Sequence, residues 1–301
     1  MTLYPFVANP LTQSMNSAGL DQHTRFARAA RWTPLAAALV AGCFHPGRAS
    51  GTTDDIRVLV YNVHAGKDAS GKESVQHIAD VVKSVDPDIV LFQEVDKRTK
   101  RSGGVDQPAS YSRLTGLRSA FGRSLDYDGG EYGIAVLSRW PIRRDTTIHL
   151  PVDPPQERSG GSHEPRVAMS LVIEAPFGRL DVFNTHIDAS GEDRWRLQEI
   201  KTIERLAKEA TRGNARALFG GDFNSTPESA VQSELRANGF RDAWPVCGVG
   251  EGLSYPADVP KKRIDYLFLL SGFDCMSARV LNTDASDHRP VVFTLRPTSR
   301  R

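Results

Sequence analysis

The chain has 301 residues, of which 40% are hydrophobic and 25% charged, an ordinary globular composition long enough for one large domain or two small ones. Its formal net charge is only +2, so no overall basic field would gather nucleic acid, and no internal repeat is visible.

Residues 1–43 read as an export segment. Arg25, Arg28 and Arg31 precede the apolar run from Thr33 to Cys43, which is too short to span a bilayer as a stable anchor. Val40-Ala41-Gly42-Cys43 resembles a bacterial lipoprotein box, in which cleavage before Cys43 leaves it as the lipidated N-terminus. Met15 is an alternative start, and a short buried helix is the competing reading of the apolar run. Residues 44–54 suit a tether. Without residues 1–42 the basic and acidic side chains are equal in number, unlike a polyanion-binding scaffold. Export would leave Cys247 and Cys275 in an oxidising compartment, where they would form one disulfide; two buried thiols is the other reading.

From residue 55 to 297 strand and helix signals alternate with no break that marks a second domain. Ile56–His64 is a β-branched run with a polar end. Val75, Ile78, Ala79 and Val82 have helical spacing, and Asp86-Pro87 stops that helix. Asp88–Val95 reads as a buried strand carrying Glu94. Tyr132–Ser138, Thr146–Leu150 and Arg166–Ile173 follow as antiparallel strands, with Asp153–Glu164, rich in Pro, Gly and Ser, read as a mobile loop. Leu180–His186 is a strand, and Glu192–Lys208 a helix with Trp195, Ile200, Ile203 and Leu206 in its apolar set. Ala215–Leu218 leads into Phe219-Gly220-Gly221-Asp222-Phe223-Asn224, a strand end whose glycines permit a tight backbone and whose acid and amide, two apart, point the same way. A helix near Ala230–Ala237 and strands at Ile264–Leu270, Ala278–Leu281 and Val291–Leu295 complete an α/β order that suits two mixed β-sheets packed face to face with helices outside.

Polar strand ends therefore carry Asn62, Glu94, His186, Asp222 with Asn224, and Asp287 with His288, while Asp265 opens a strand. Such a set argues for one shared site at a common edge of the sheets. Its carboxylate, amide and imidazole donors, without a Cys cluster, favour Mg2+ or Mn2+ over a structural zinc.

Tyr61-Asn62, Gln93-Glu94-Val95-Asp96, Tyr132–Arg139, Asn184-Thr185-His186, Gly221-Asp222-Phe223-Asn224, Arg263-Ile264-Asp265-Tyr266 and Ser286-Asp287-His288-Arg289-Pro290 resemble, in order, the signature blocks of the endonuclease/exonuclease/phosphatase superfamily. The resemblance covers about 55–297 and implies a four-layered α/β sandwich that acts as a metal-dependent phosphoesterase. It implies that Glu94 binds the divalent ion with Asn62 and Asp287. Asp222 would orient or deprotonate the attacking water, Asn224 would hold phosphoryl oxygens, and His186 would donate a hydrogen bond or proton to the developing charge. His288 would contact the phosphate or act on the water, its tautomer and charge fixed by Asp265. A His–Asp pair without a Ser or Cys nucleophile fits direct water attack.

Arg166 is read either as a partner of a site carboxylate or phosphate, or as a strand-surface residue; Arg98 is equally open. His64, His77, His149 and His163 are read as surface or satisfied residues, and Tyr132 as a strand aromatic or a pocket wall. The position two after Asn62 is Asp in abasic-site repair nucleases and His64 here, which argues against a repair role. The expected partners are a phosphate-ester substrate, lipid headgroup or nucleic acid, and a membrane reached through the Cys43 anchor, with the chain a monomer lacking a protein partner. The Gln93–Arg98 and Gly129–Arg139 stretches resemble the branch holding sphingomyelinase-like and glycolipid-anchor-remodelling proteins. An exported nonspecific nuclease, for which Lys97–Arg101 would supply a short basic run, and an inactive binding module are the alternatives.

Overall fold

Alternation along the first strand already fixes the layering. In β1 (Ile56–Asn62), Val58 and Val60 face one way and Leu59 and Tyr61 the other, and all four are fully buried, so both faces of the strand must be covered. The computed structural model describes residues 55–151, 163–212 and 215–298, which lie in the compact unit Gly51–Arg301. The expected export segment and tether, with Cys43, lie outside the described residues, as do 153–162 of the expected 153–164 loop.

After β1 come α1 (Val75–Val85), β2 (Ile89–Lys97), α2 (Gln107–Thr115), β3 (Arg118–Tyr127), β4 (Gly130–Ser138), β5 (Ile142–His149), β6 (Val167–Ala175), β7 (Gly178–His186), α3 (Asp193–Thr211), β8 (Arg216–Asp222), α4 (Ala230–Ala237), β9 (Arg241–Asp242), α5 (Trp244–Cys247), β10 (Asp265–Ser271), β11 (Phe273–Val280) and β12 (Val291–Pro297). The strands form two six-stranded sheets, ordered β11-β12-β1-β2-β4-β3 and β5-β6-β7-β8-β10-β9. Val58, Val60, Leu91 and Val136 of the first meet Met169, Leu171, Val182, Leu218 and Leu267 of the second in a core between the sheets. Behind the first sheet, Leu59, Tyr61 and Phe92 pack on Ile78, Val82 and Tyr111 of α1 and α2; behind the second, Phe183, Phe219 and Phe268 pack on Ile200, Ile203 and Leu235 of α3 and α4. This is the expected four-layered α/β sandwich.

Each sheet contains one parallel pair, β1 with β2 and β7 with β8, and the helix needed to cross between parallel strands is α1 or α3. Parallel pairing brings the carboxyl ends of both strands to one edge. In the second sheet this places His186 directly opposite Asp222, and antiparallel β10 sets Asp265 opposite Asp222 from the other side. In the first, Asn62 registers with Gln93, and the start of β12 pairs with Val60, so Asp287 and His288 reach the same edge. The sheets are tied there by an amide clamp: Gln93 Nε2 donates to Asn184 Oδ1 at 2.7 Å, and Asn184 Nδ2 donates to the Phe92 carbonyl at 2.9 Å.

Four elements lie outside the expected order: α2, β3 and the short β9 and α5. In α2, Gln107 and Ser110 are buried with Tyr111, so no apolar periodicity announces it; Asp106, whose side chain accepts from Ala109 N, and Pro108 in the first turn are its start signals. β3 is half polar, yet Asp128-Gly129, both at positive φ, form the two-residue turn to β4 that favours a hairpin. Trp195 also departs from expectation: it stacks edge-on against His163 at 4.3 Å instead of joining the core under α3. Cys247 and Cys275 form a disulfide joining α5 to β11.

Candidate active site

Backbone strain and close packing gather where the functional side chains are. Glu94 sits at φ 55° within the irregularity that interrupts β2–β4 pairing between Phe92 and Val95, an extra-residue bulge that re-aims its carboxylate into the site. Asn224 is likewise at φ 45°. Gly221 has φ 143°, and a Cβ there would lie 2.0 Å from the Thr185 carbonyl, so the strand carrying Asp222 can approach the strand carrying His186 only with glycine at that position.

The site is a cleft of about 550 Å³ whose floor includes Glu94, His186, Asp222, Asn224, Asp287 and His288. Six of the eight residues expected in catalytic or metal roles line it. Of the other two, Asn62 donates its amide to Glu94 Oε1 at 2.9 Å and to Asp222 Oδ2 at 3.0 Å, while Asp265 lies behind His288. As oriented, Asn62 presents nitrogen to the two carboxylates, and its oxygen accepts from His64 N at 3.1 Å; it holds Glu94 and Asp222 in place. Asp222 Oδ1 accepts from Asn224 N at 2.9 Å.

Asp222 is the centre of the charge pattern. His186 Nε2 lies 3.6 Å and His288 Nε2 3.7 Å from its Oδ2. Burial, and then the facing Asp265 carboxylate, push Asp222 up to about 7 despite the attraction of His288. Burial alone would lower His288, but Asp265, which accepts from its Nδ1 at 3.0 Å, overrides that and raises it to about 10. Ser254 Oγ donates to the same Asp265 oxygen at 2.5 Å, and the Tyr255 ring lies against His288 at 4.7 Å. His186 is driven the other way: burial, then the Arg166 guanidinium and His288, lower it well below the ordinary histidine value. A neutral imidazole has one N–H to donate and one nitrogen that accepts.

A hard divalent cation fits the donor set. Burial, with Glu94 nearby, raises Asp287 against the attraction of His288 and His64, and Glu94, Asp222 and Asp287 all line the cleft as oxygen donors. Asp222, Asp265 and His288 also bring one ligand atom each within 4.8 Å of one another. Within that set Asp265 is already bonded to His288 Nδ1, whereas Glu94, Asp222 and Asp287 are the carboxylates that line the cleft.

Several readings left open are settled by contacts. Arg166 is buried and touches His186. Arg98 is exposed and pairs with Asp106 at 3.3 Å. Two more charges of the basic run are partnered: Lys97 with Glu131 at 2.6 Å, and Arg101 with Asp96 at 2.7 Å while it lies over the Tyr127 and Tyr132 rings. Tyr132 is a buried strand aromatic beside that guanidinium. His77 and His149 are exposed, and His163 N donates to Asp188. His64 is the histidine that sequence reasoning missed: its Nδ1 lies 3.8 Å from Asp287 at the rim. Ser254, Tyr255 and Lys262 were missed as well, because the loop before β10 has no periodic or motif signal of its own.

The uncharacterized protein YbhP of Escherichia coli (strain K12) is 24% identical over 247 residues, covering 78% of this chain and 94% of that one. A 5'-tyrosyl-DNA phosphodiesterase of Caenorhabditis elegans is 25% identical over 201 residues, 64% of this chain and 49% of that longer protein. Among solved structures, the mannosyl-6-phosphatase of Bacteroides thetaiotaomicron superposes with a TM-score of 0.67 at 21% identity, covering 80% of this chain and 99% of that one. An endonuclease/exonuclease/phosphatase of Beutenbergia cavernae also gives 0.67 at 21% identity, covering 82% and 72%. Residues 59–288 match the pattern of the Endonuclease/Exonuclease/phosphatase family, with both imidazoles, Asp222 and Glu94 inside the match, and the chain belongs to that family.

Proposed function

We propose that the protein is a divalent-metal-dependent hydrolase of phosphate esters that uses direct attack by water. The observation that carries this reading is the convergence of His186 and His288 on one oxygen of Asp222, beside Glu94 and Asp287. A divalent ion held by Glu94 and Asp287 would supply positive charge to the phosphate oxygens and the leaving oxygen. Asp222, fixed by Asn62 and by Asn224 N, takes the proton of the attacking water and orients it. The Asn224 amide and the His186 N–H face the developing negative charge, and cationic His288, backed by Asp265, neutralises it. Neither imidazole pairs with a hydroxyl or thiol among the described residues, in keeping with water as the nucleophile.

For substrate, the cleft walls favour a compact polar phosphate ester. Beyond the catalytic floor they carry Ser190, Asp193, Thr226, Ser229 and Lys262, groups that would bind hydroxyls and charge. The partnered state of Lys97, Arg98 and Arg101 weakens the nuclease alternative. A phospholipid headgroup, the phosphodiester expectation, shares the same polar chemistry and would suit a chain anchored to a membrane through Cys43. The Cys247–Cys275 disulfide supports export to an oxidising compartment.

The test is hydrolysis by the full chain, with Mg2+ and with chelator, beside Asp222→Ala. Substrates are a hexose phosphate, sphingomyelin or phosphatidylinositol vesicles, and plasmid DNA. Metal-dependent release of phosphate or headgroup that is lost in Asp222→Ala supports the reading. Cleavage of DNA alone would replace the substrate assignment with a nuclease, and tight substrate binding without turnover on any of the three would leave the binding module.

A further inference from the structure

Arg166 is buried immediately before β6, next to a histidine that the resemblance treats as an independent donor. Its Nη1 lies 2.8 Å from His186 Nδ1 and 3.0 Å from Glu164 Oε1. Both side chains of the Arg166–Glu164 pair are only 5% exposed, so the guanidinium is held on the side of the imidazole away from Asp222.

A guanidinium has five N–H donors, no acceptor and no accessible neutral form. At 2.8 Å, a ring nitrogen facing it must be the acceptor, because two N–H groups pointed at each other repel. A protonated Nδ1, whether in the other neutral tautomer or in the imidazolium, is incompatible with this contact. The Asn224 amide nitrogen competes from the opposite side, 3.0 Å from Nε2. A neutral imidazole accepts at only one nitrogen, so it can satisfy one of these donors and not both. Arg166 is the closer and permanently charged one, and Asn224 Nδ2 has a second acceptor in the Ile187 carbonyl at 3.0 Å.

We infer that Arg166 is a positioning residue that fixes His186 as the Nε2–H tautomer, aiming its one N–H at the space beside Asp222 where the phosphoryl group reacts; the catalytic consequence rests on the phosphoesterase reading. Arg166, which also lines the cleft, thus acts through His186, with its Nη1 held between the ring and Glu164.

The experiment is long-range proton–nitrogen correlation on the full chain labelled with nitrogen-15 histidine, with the His186 signals assigned by their loss in His186→Gln. The expected result is a protonated Nε2 and an acceptor Nδ1. A protonated Nδ1, alone or together with Nε2, overturns the inference whether or not a substrate has been found. Arg166→Lys, which keeps a buried donor, retains the Nε2–H pattern; Arg166→Met gives a tautomer mixture. With bis-p-nitrophenyl phosphate and Mg2+, Arg166→Met lowers kcat on the order of 100-fold with KM changed by no more than about twofold, and Arg166→Lys recovers part of the loss. A KM that rises while the tautomer is unchanged would make Arg166 a phosphate ligand and overturn the positioning role. If Arg166→Met does not fold, the wild-type spectrum and Arg166→Lys decide. Because the tautomer is read without turnover, loss of the phosphoesterase reading and loss of this inference give different results.

Discussion

The two histidines of the site are the same residue, buried to the same extent, at nearly equal distances from one carboxylate oxygen, and they are in opposite states. His288 backs onto Asp265 and is raised to about 10; His186 backs onto Arg166 and is held neutral. Nothing in the imidazole itself distinguishes them. The partner on the far ring nitrogen decides whether the near one offers a cation or a neutral donor, and the sheets place opposite charges behind the two rings. One wall of the cleft is therefore cationic and the other a neutral hydrogen-bond donor, an asymmetry suited to a substrate that carries charge on one side of the reacting bond and develops it on the other.

The largest effect should come from the group both walls share. Asp222→Asn keeps the shape and the contact with Asn62 but removes the base, and should lower kcat roughly 1,000- to 10,000-fold; steady-state kinetics with Mg2+ would show it, and a loss below about tenfold would remove Asp222 from the chemistry. The two walls should then separate. His288→Gln removes a cation and should reduce kcat/KM by about 1,000-fold, whereas His186→Gln, which keeps a neutral donor, should cost about 10- to 100-fold. Equal losses in the two variants would erase the distinction.

Cation binding should depend on the carboxylates in front of the walls and not on the rings. Saturating Mg2+ should raise the melting temperature of the wild-type chain by about 5 °C, and Glu94→Gln should abolish the rise while His186→Gln keeps it, as read by differential scanning calorimetry. The converse pattern would move the ion away from Glu94.

The smallest effect concerns the support behind the His186 wall. Glu199 on α3 is buried, and that burial, opposed by its bond from Asp188 N and by Arg166, raises it to about 8 from an ordinary 4.5; Asp188 and Arg196 are the other charges facing it. The folded state thus binds the extra proton between those values. Its contribution to stability is fully present below about 4.5 and is lost as pH rises through about 8. Urea midpoints of Glu199→Gln should fall less steeply over this window than those of the wild type, and the variant should be the more stable of the two above pH 8. Parallel curves would show that Glu199 does not titrate there.

How much of this was legible before folding varies with the physics behind each feature. β1, β2, β7 and β8 are buried on both faces and read as apolar runs, and their polar ends announced Asn62, Glu94, His186 and Asp222. α1 carried its apolar spacing openly, whereas α2 buries Gln107, which donates to the Ala65 carbonyl at 2.6 Å, so its packing is polar and no period marks it. Trp195 fitted the helical stripe of α3 by spacing alone, but the His163 backbone brings a ring against it that spacing does not reveal. Arg166 was ambiguous because an arginine at a strand start looks the same whether it faces water or a histidine.

The sequence by itself determined the layers, the chain order and the identity of the groups at one sheet edge, because burial pattern and strand polarity are local properties written in periods of two and of 3.6 residues. Tertiary structure alone decided what those groups are chemically. The state of His186, the raised carboxyl of Asp222, the pairing of Cys247 with Cys275 and the ion pairs of Lys97, Arg98 and Arg101 all depend on neighbours beyond the local pattern. Electrostatic interaction and desolvation are set by distance and burial, which only the packed chain defines.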